Sequence, residues 1–139
     1  MIKTETFTNE TDILIAPELA FAIPCIVTNT GVSANSEGKK IIKAGTPITF
    51  AVDVFAANRQ AKGSAYLAAA SATGPAVYGY ARWDIDVTAG DTNATLLVDG
   101  YVDLLKLDNA IQTLVTTTLT GDSNTVTKAR VRFIKGRAL

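Results

Sequence analysis

The chain has 139 residues, 47% of them apolar, and carries 13 Lys and Arg against 13 Asp and Glu, so its formal net charge is zero. That balance excludes the broad basic field with which nucleic-acid binders neutralise phosphates. The apolar content excludes a disordered chain, and the single cysteine excludes an intrachain disulfide.

In chain order, residues 1–12 are polar and show no apolar period, which reads as an arm that is flexible or ordered by a partner. The opening Met1-Ile2-Lys3-Thr4-Glu5 leads into polar sequence rather than an apolar leader core, so a product made in the cytoplasm is expected. Residues 13–27 are apolar but broken by Pro17, Glu18 and Pro24, too short and interrupted to cross a bilayer. Proline cannot donate to a strand ladder, so edge strands or irregular extensions lying on a core are expected there. Cys25, set between Pro24 and Ile26, reads as a small buried hydrophobe.

Asn29-Thr30-Gly31 and residues 35–38 carry turn chemistry. Residues 39–43 read as a short strand, residues 44–47 as the next turn, and residues 48–55 as a half-buried strand with Ile48, Phe50, Val52 and Val54 on one face. Residues 56–76 hold Gly63, Ser64, Gly74 and Pro75 and read mostly as loop. Residues 77–87 give the clearest strand signal, through Val77, Tyr78, Tyr80, Trp83, Ile85 and Val87. A loop at 88–93 joins it to a second strand at 94–104, as in a hairpin, and Gly100 inside that strand predicts a bulge or a close backbone approach. Asp108 is an N-cap for a short helix with Ile111, Leu114 and Val115 as its apolar stripe. A Thr-rich connection then leads to a closing strand over residues 128–135, where Ala129, Val131 and Phe133 alternate with Lys128, Arg130 and Arg132. Those cations, with Lys135 and Arg137, read as the wet face of the strand. The expected fold is mainly β, a small β-barrel or sandwich-like domain with one short helix and an extended N-terminal arm. Residues 1–38 form the arm and extended segment, and residues 39–139 the β-rich domain.

Few residues point to chemistry. No histidine is present, which removes the commonest general acid–base group and transition-metal ligand. Asp84, Asp86, Asp91 and Asn93 are the densest oxygen cluster, but the calcium-loop pattern with its closing glutamate is missing. The same-face pairs Asp84/Asp86 and Asp99/Asp103 read as solvent-facing strand carboxylates rather than a glycosidase pair. Neither a phosphate-cradling glycine loop nor a nucleophile elbow occurs, and no catalytic, metal or cofactor site is expected. Trp83, the only tryptophan, follows Arg82, and both residue types are enriched at interface hot spots.

Residues 78–91, Tyr78-Gly79-Tyr80-Ala81-Arg82-Trp83-Asp84-Ile85-Asp86-Val87-Thr88-Ala89-Gly90-Asp91, resemble the central strand-and-loop motif of tailed-bacteriophage head decoration and head fibre proteins. Residues 97–104 are similar to the strand that follows in that family, residues 42–48 to its Lys-Ala-Gly-Thr-Pro turn, and residues 133–136 to its ending. The chain departs from the family in its longer region 1–38 and in Arg82-Trp83. The resemblance implies a structural virion protein on the outer capsid surface, binding major capsid protein and itself, as a trimer, without nucleic acid or membrane. The residues expected to make capsid or self-association contacts are Ile13, Ile15, Pro17, Phe21, Pro24, Arg82, Trp83 and Tyr101. The N-terminal arm is expected to pair with a capsid strand. The competing expectation is a virion-displayed adhesin whose sugar platform is Tyr78, Tyr80, Trp83 and Tyr101.

Overall fold

A computed structural model describes residues 12–55, 60–67, 76–121 and 126–135. Residues 1–11 of the expected arm at 1–12 therefore lie outside the described residues. The strands are β1 Phe21–Val27, β2 Ile41–Ile42, β3 Pro47–Phe50, β4 Lys62–Ala65, β5 Ala76–Ala81, β6 Ile85–Asp86, β7 Thr92–Asp103 and β8 Arg130–Ile134. The fold is mainly β, and its centre is a closed five-stranded barrel in which β1, β4, β3, β5 and β7 pair in a ring that returns to β1. Beyond the barrel, β7 continues and pairs in parallel with β8.

Two apolar clusters hold these layers together. Ile23, Cys25, Val27, Ile48, Phe50, Tyr78 and Leu96 fill the barrel. Tyr80, Leu97, Val102, Ile111, Leu114, Val115 and Leu119 form a second cluster, onto which Ala129, Val131 and Phe133 pack. The alternation expected at 128–135 is thus borne out: Arg130 and Arg132 are exposed while Val131 and Phe133 turn inward. The helix is α1, Asn109–Thr113, continued by one π turn over Leu114–Thr118. Asp108 caps it, its carboxylate accepting from the Asn109 N–H at 3.1 Å, and Gln112 Nε2 donates to Leu107 O at 2.9 Å. Removing a side-chain cap costs about 1 kcal/mol. Asp108→Ala is expected to lower the unfolding free energy by that amount, read as a lower urea midpoint with an unchanged m value.

Several expectations are corrected. The boundary at residue 38 does not divide the barrel, because β1 is a stave between β7 and β4. Pro24 is accommodated where β1 pairs on one side only; β4 meets it at Ile26 and Val27 alone. The strand expected at 48–55 stops at Phe50: Val54 is buried but Val52 is 46% exposed. The stretch read as loop contains β4. Its Lys-Gly-Ser-Ala sequence has no β-forming side chains, and it is a strand because it pairs with β1 on one side and β3 on the other, with Gly63 packed closely on β3 side chains. A Cβ on Gly63 would lie 2.7 Å from Phe50 Cζ and 2.8 Å from Ile48 Cγ2.

The long strand expected at 77–87 is interrupted. β5 pairs antiparallel with β7 at Tyr80 and Ala81, and β6 leaves to pair with β2. Within β5, Ile48 faces Gly79 and Thr49 faces Val77, so Tyr78 is an extra residue, a bulge. The bulge sends Tyr78 into the barrel and Tyr80 to the second cluster, although the two are only two residues apart. Tyr80 there meets the Phe133 ring edge-on at 4.8 Å, tying β8 to β5. The expectation at Gly100 holds: the pairing skips Val98, between Phe21↔Asp99 and Ala22↔Leu97, and a Cβ on Gly100 would lie 3.4 Å from that of Ala20.

Candidate interaction surface

Among the described residues, a group of exposed apolar side chains is built by the segment that leads into β1. Residues 13–15 run beside the outer half of β7: Asp103 N–H donates to Ile13 O at 2.8 Å, Leu14 bridges to Val102, and Ile15 N–H donates to Tyr101 O at 2.9 Å. At Phe21 the chain rejoins the sheet opposite Asp99. Between these anchors Pro17 cannot donate to β7, and its fixed φ suits the first position of a helical turn. The chain turns outward as a 3-10 turn over Pro17–Leu19, none of whose residues is buried.

The result is an apolar ledge. Leu19 is 63% exposed, Phe21 60%, Ile15 46% and Tyr101 36%. Next to it, Phe21, Ile23, Phe55 and Val98 line a shallow cleft. Phe55 stacks edge-on against Tyr78 at 5.1 Å, and Tyr78 against Phe50 at 6.0 Å, so an aromatic row runs from the cleft into the barrel. Covering a large apolar side chain completely is worth about 1.5–3 kcal/mol, so several together at one place mark a binding surface.

Of the expected contact residues, Ile15, Pro17, Phe21 and Tyr101 come together on the ledge. Pro24 is also exposed, on β1. Ile13 is a correction: it is 1% exposed and belongs to the second core, because the hydrogen bond to Asp103 pins it beneath the sheet edge. Arg82 and Trp83 are half-buried and stand apart from the ledge. The guanidinium of Arg82 lies 5.0 Å above the indole and 3.5 Å from the Asp12 carboxylate, while Trp83 lines a separate cleft with Lys43, Asp84, Lys106 and Asp108. Leu19 and Phe55 were missed by the sequence reading. The parity of residues 48–55 did carry a signal, since Phe55 is out of phase with Ile48, Phe50 and Val54.

The aspartates are used singly. Asp84 Oδ1 accepts from the Ala44 N–H at 2.8 Å, and Asp91 pairs with Lys62 at 2.7 Å. Asp86 accepts from the Thr88 hydroxyl and from the Thr88 N–H at 3.0 Å, which together hold its carboxyl below the usual range. The Asp84 bond joins residues 40–44 to residues 84–88, as do the Lys40 N–H donating to the Thr88 hydroxyl at 2.9 Å and the Val87 N–H donating to Lys40 O at 2.9 Å. Among the described residues no group of three or more His, Cys, Asp and Glu is placed to hold a metal ion. Tyr78 and Tyr80 are 7% and 4% exposed, so the expected aromatic sugar platform does not form.

Fold and surface together define a mainly β barrel with an exposed apolar ledge at the start of its first strand. No protein-family model matches the chain, and no curated protein matches it.

Proposed function

We propose that this chain is a structural, non-enzymatic virion protein that binds the outside of a bacteriophage capsid, as a trimer, and clamps neighbouring major capsid subunits. The single observation that carries the reading is the ledge of Ile15, Pro17, Leu19 and Phe21, projected from the barrel by a turn none of whose residues is buried. The resemblance of residues 78–91, 97–104 and 42–48 to head decoration proteins supplies the kind of partner. Those stretches include parts of β2, β3, β5, β6 and β7, of which β7 is the strand beside which the ledge is mounted. Repetition on a symmetric shell adds avidity, so a modest apolar contact per copy is enough.

The test is a double substitution, Leu19→Ser with Phe21→Ser, which adds no charge opposite Asp99, assayed by co-sedimentation with phage heads assembled without this protein. Both side chains are exposed, so the thermal midpoint is expected to stay within a few degrees. Binding to heads is expected to fall at least about tenfold, because two hot-spot-sized contacts are lost. Undiminished head binding by the folded variant defeats the reading. Binding to isolated glycans with none to heads defeats it in favour of an adhesin.

A further inference from the structure

We propose that the outer face of β8 is a docking strip for an extended acidic segment of a partner protein. The strip adjoins the ledge at Tyr101, which lies opposite Arg132, but its cations lie outside the ledge, and it stands whether or not the partner of the ledge is a capsid.

β8 is the last strand of its sheet, and among the described residues its only strand partner is β7. Val131 and Phe133 face the second core, so Arg130 and Arg132 must face away from it, on the same parity as the exposed Lys128 and Ile134. Same-face residues of a strand recur about every 7 Å. That is the spacing at which any strand laid alongside presents its own alternate side chains, so extended peptide is the shape the cations match.

The charges on this strip are uncommitted. Lys43, Lys62 and Arg82 are in ion pairs, at 3.9, 2.7 and 3.5 Å. Among the described residues Lys128, Arg130 and Arg132 form no such pair. Asp99 stands opposite Arg130 in the β7–β8 register without pairing to it, and Asp103 caps the next turn through the Leu105 N–H at 3.0 Å. Charged edge strands are also a protection against unwanted pairing. Two features go beyond protection. The central pair is arginine, whose planar fork grips a carboxylate with two parallel hydrogen bonds, as lysine cannot. The exposed Tyr101 lies directly opposite Arg132, giving the strip an apolar contact beside its cations.

Charge also decides between occupants. A second copy joined through β8 would set arginine against arginine, and like charges directly opposite each other destabilise a strand pair. A nucleic acid would bring phosphates against Asp99 and Asp103 on a chain with no net positive charge. An acidic peptide segment meets neither objection.

The experiment uses the full chain and fluorescence anisotropy. The probes are a short synthetic peptide alternating glutamate with valine, its glutamine counterpart, and a single-stranded DNA oligonucleotide. The glutamate peptide is expected to bind at least about tenfold more tightly than the glutamine peptide, with affinity falling as salt rises. Arg130→Glu with Arg132→Glu is expected to abolish that binding while leaving the thermal midpoint in place. Arg130→Gln with Arg132→Gln, the milder pair, is expected to weaken it in the same direction. Equal binding of the two peptides, no binding of the glutamate peptide, tighter binding of the DNA, or indifference to both arginine pairs each overturns the proposal.

Discussion

Gly79→Ala is expected to destabilise the protein by about 3 kcal/mol, the upper end of the overpacking range. The added Cβ would lie 2.5 Å from Leu96 Cγ and 2.7 Å from the backbone oxygen of Leu97. Neither neighbour can yield. Leu96 is fully buried in the barrel, and Leu97 is held from both sides, opposite Ala22 of β1 and Tyr80 of β5. Gly63→Ala makes a useful contrast. Its close neighbours are the ring end of Phe50 and a methyl of Ile48, side chains that can shift by a fraction of an ångström, so a smaller loss is expected. Chemical unfolding of both variants against the parent measures the difference. With a total stability of about 5–15 kcal/mol for a domain of this kind, the Gly79 variant loses a large part of its margin. If the two variants lose equally, or Gly63→Ala loses more, the barrel is not closed around Gly79 in this way.

The second large effect is alkaline unfolding. Burial pushes the Cys25 thiol up to about 11 from 9.0, and the Tyr80 phenol up to about 12 from 10.0. Both groups sit inside a core, Cys25 at 4% exposure in the barrel and Tyr80 at 4% in the second cluster. Each therefore holds its proton more tightly folded than unfolded, and its stabilisation is complete below the unfolded value. It is lost as pH rises, from 9 to 11 for Cys25 and from 10 to 12 for Tyr80. At 1.36 kcal/mol per unit the two together remove about 5 kcal/mol, enough to unfold a marginal domain. Tyr78 adds in the same direction, through burial first and the neighbouring Asp53 charge second. Unfolding midpoints in urea measured from pH 8 to 12 are expected to fall steadily above pH 9. Cys25→Ala is expected to flatten the part between 9 and 10, before the phenols titrate. A parent profile level up to pH 11 contradicts the burial of both groups. The same burial predicts a Cys25 thiol that reacts with a small disulfide reagent only after unfolding.

Legibility followed how local each determinant is. The α1 cap, the alternation of β8, the turn before β3 and the bulge near Gly100 were all readable, because each depends on residues within one turn or a few positions of a strand. The ledge was half-readable. Pro17 announced that residues 13–27 could not be one regular strand, but whether Ile13 or Ile15 faced water depended on which backbone groups β7 offered to that segment. Both are isoleucine, and no local property separates them.

What the sequence by itself determined is the β class, the short capped helix, the burial of Cys25 and the two-faced character of β8. These follow from side-chain period and capping chemistry, which act between near neighbours. Tertiary structure alone decided that Lys62–Ala65 is a strand, that Tyr78 and Tyr80 part to different cores, and that Leu19 and Phe21 stand outside. The physical reason is the narrow interior of a five-stranded barrel. It cannot hold Phe50, Ile48 and Leu96 together with a side chain at positions 63 and 79, so contacts between residues far apart in the chain choose which stretches pair and which apolar groups are left on the surface.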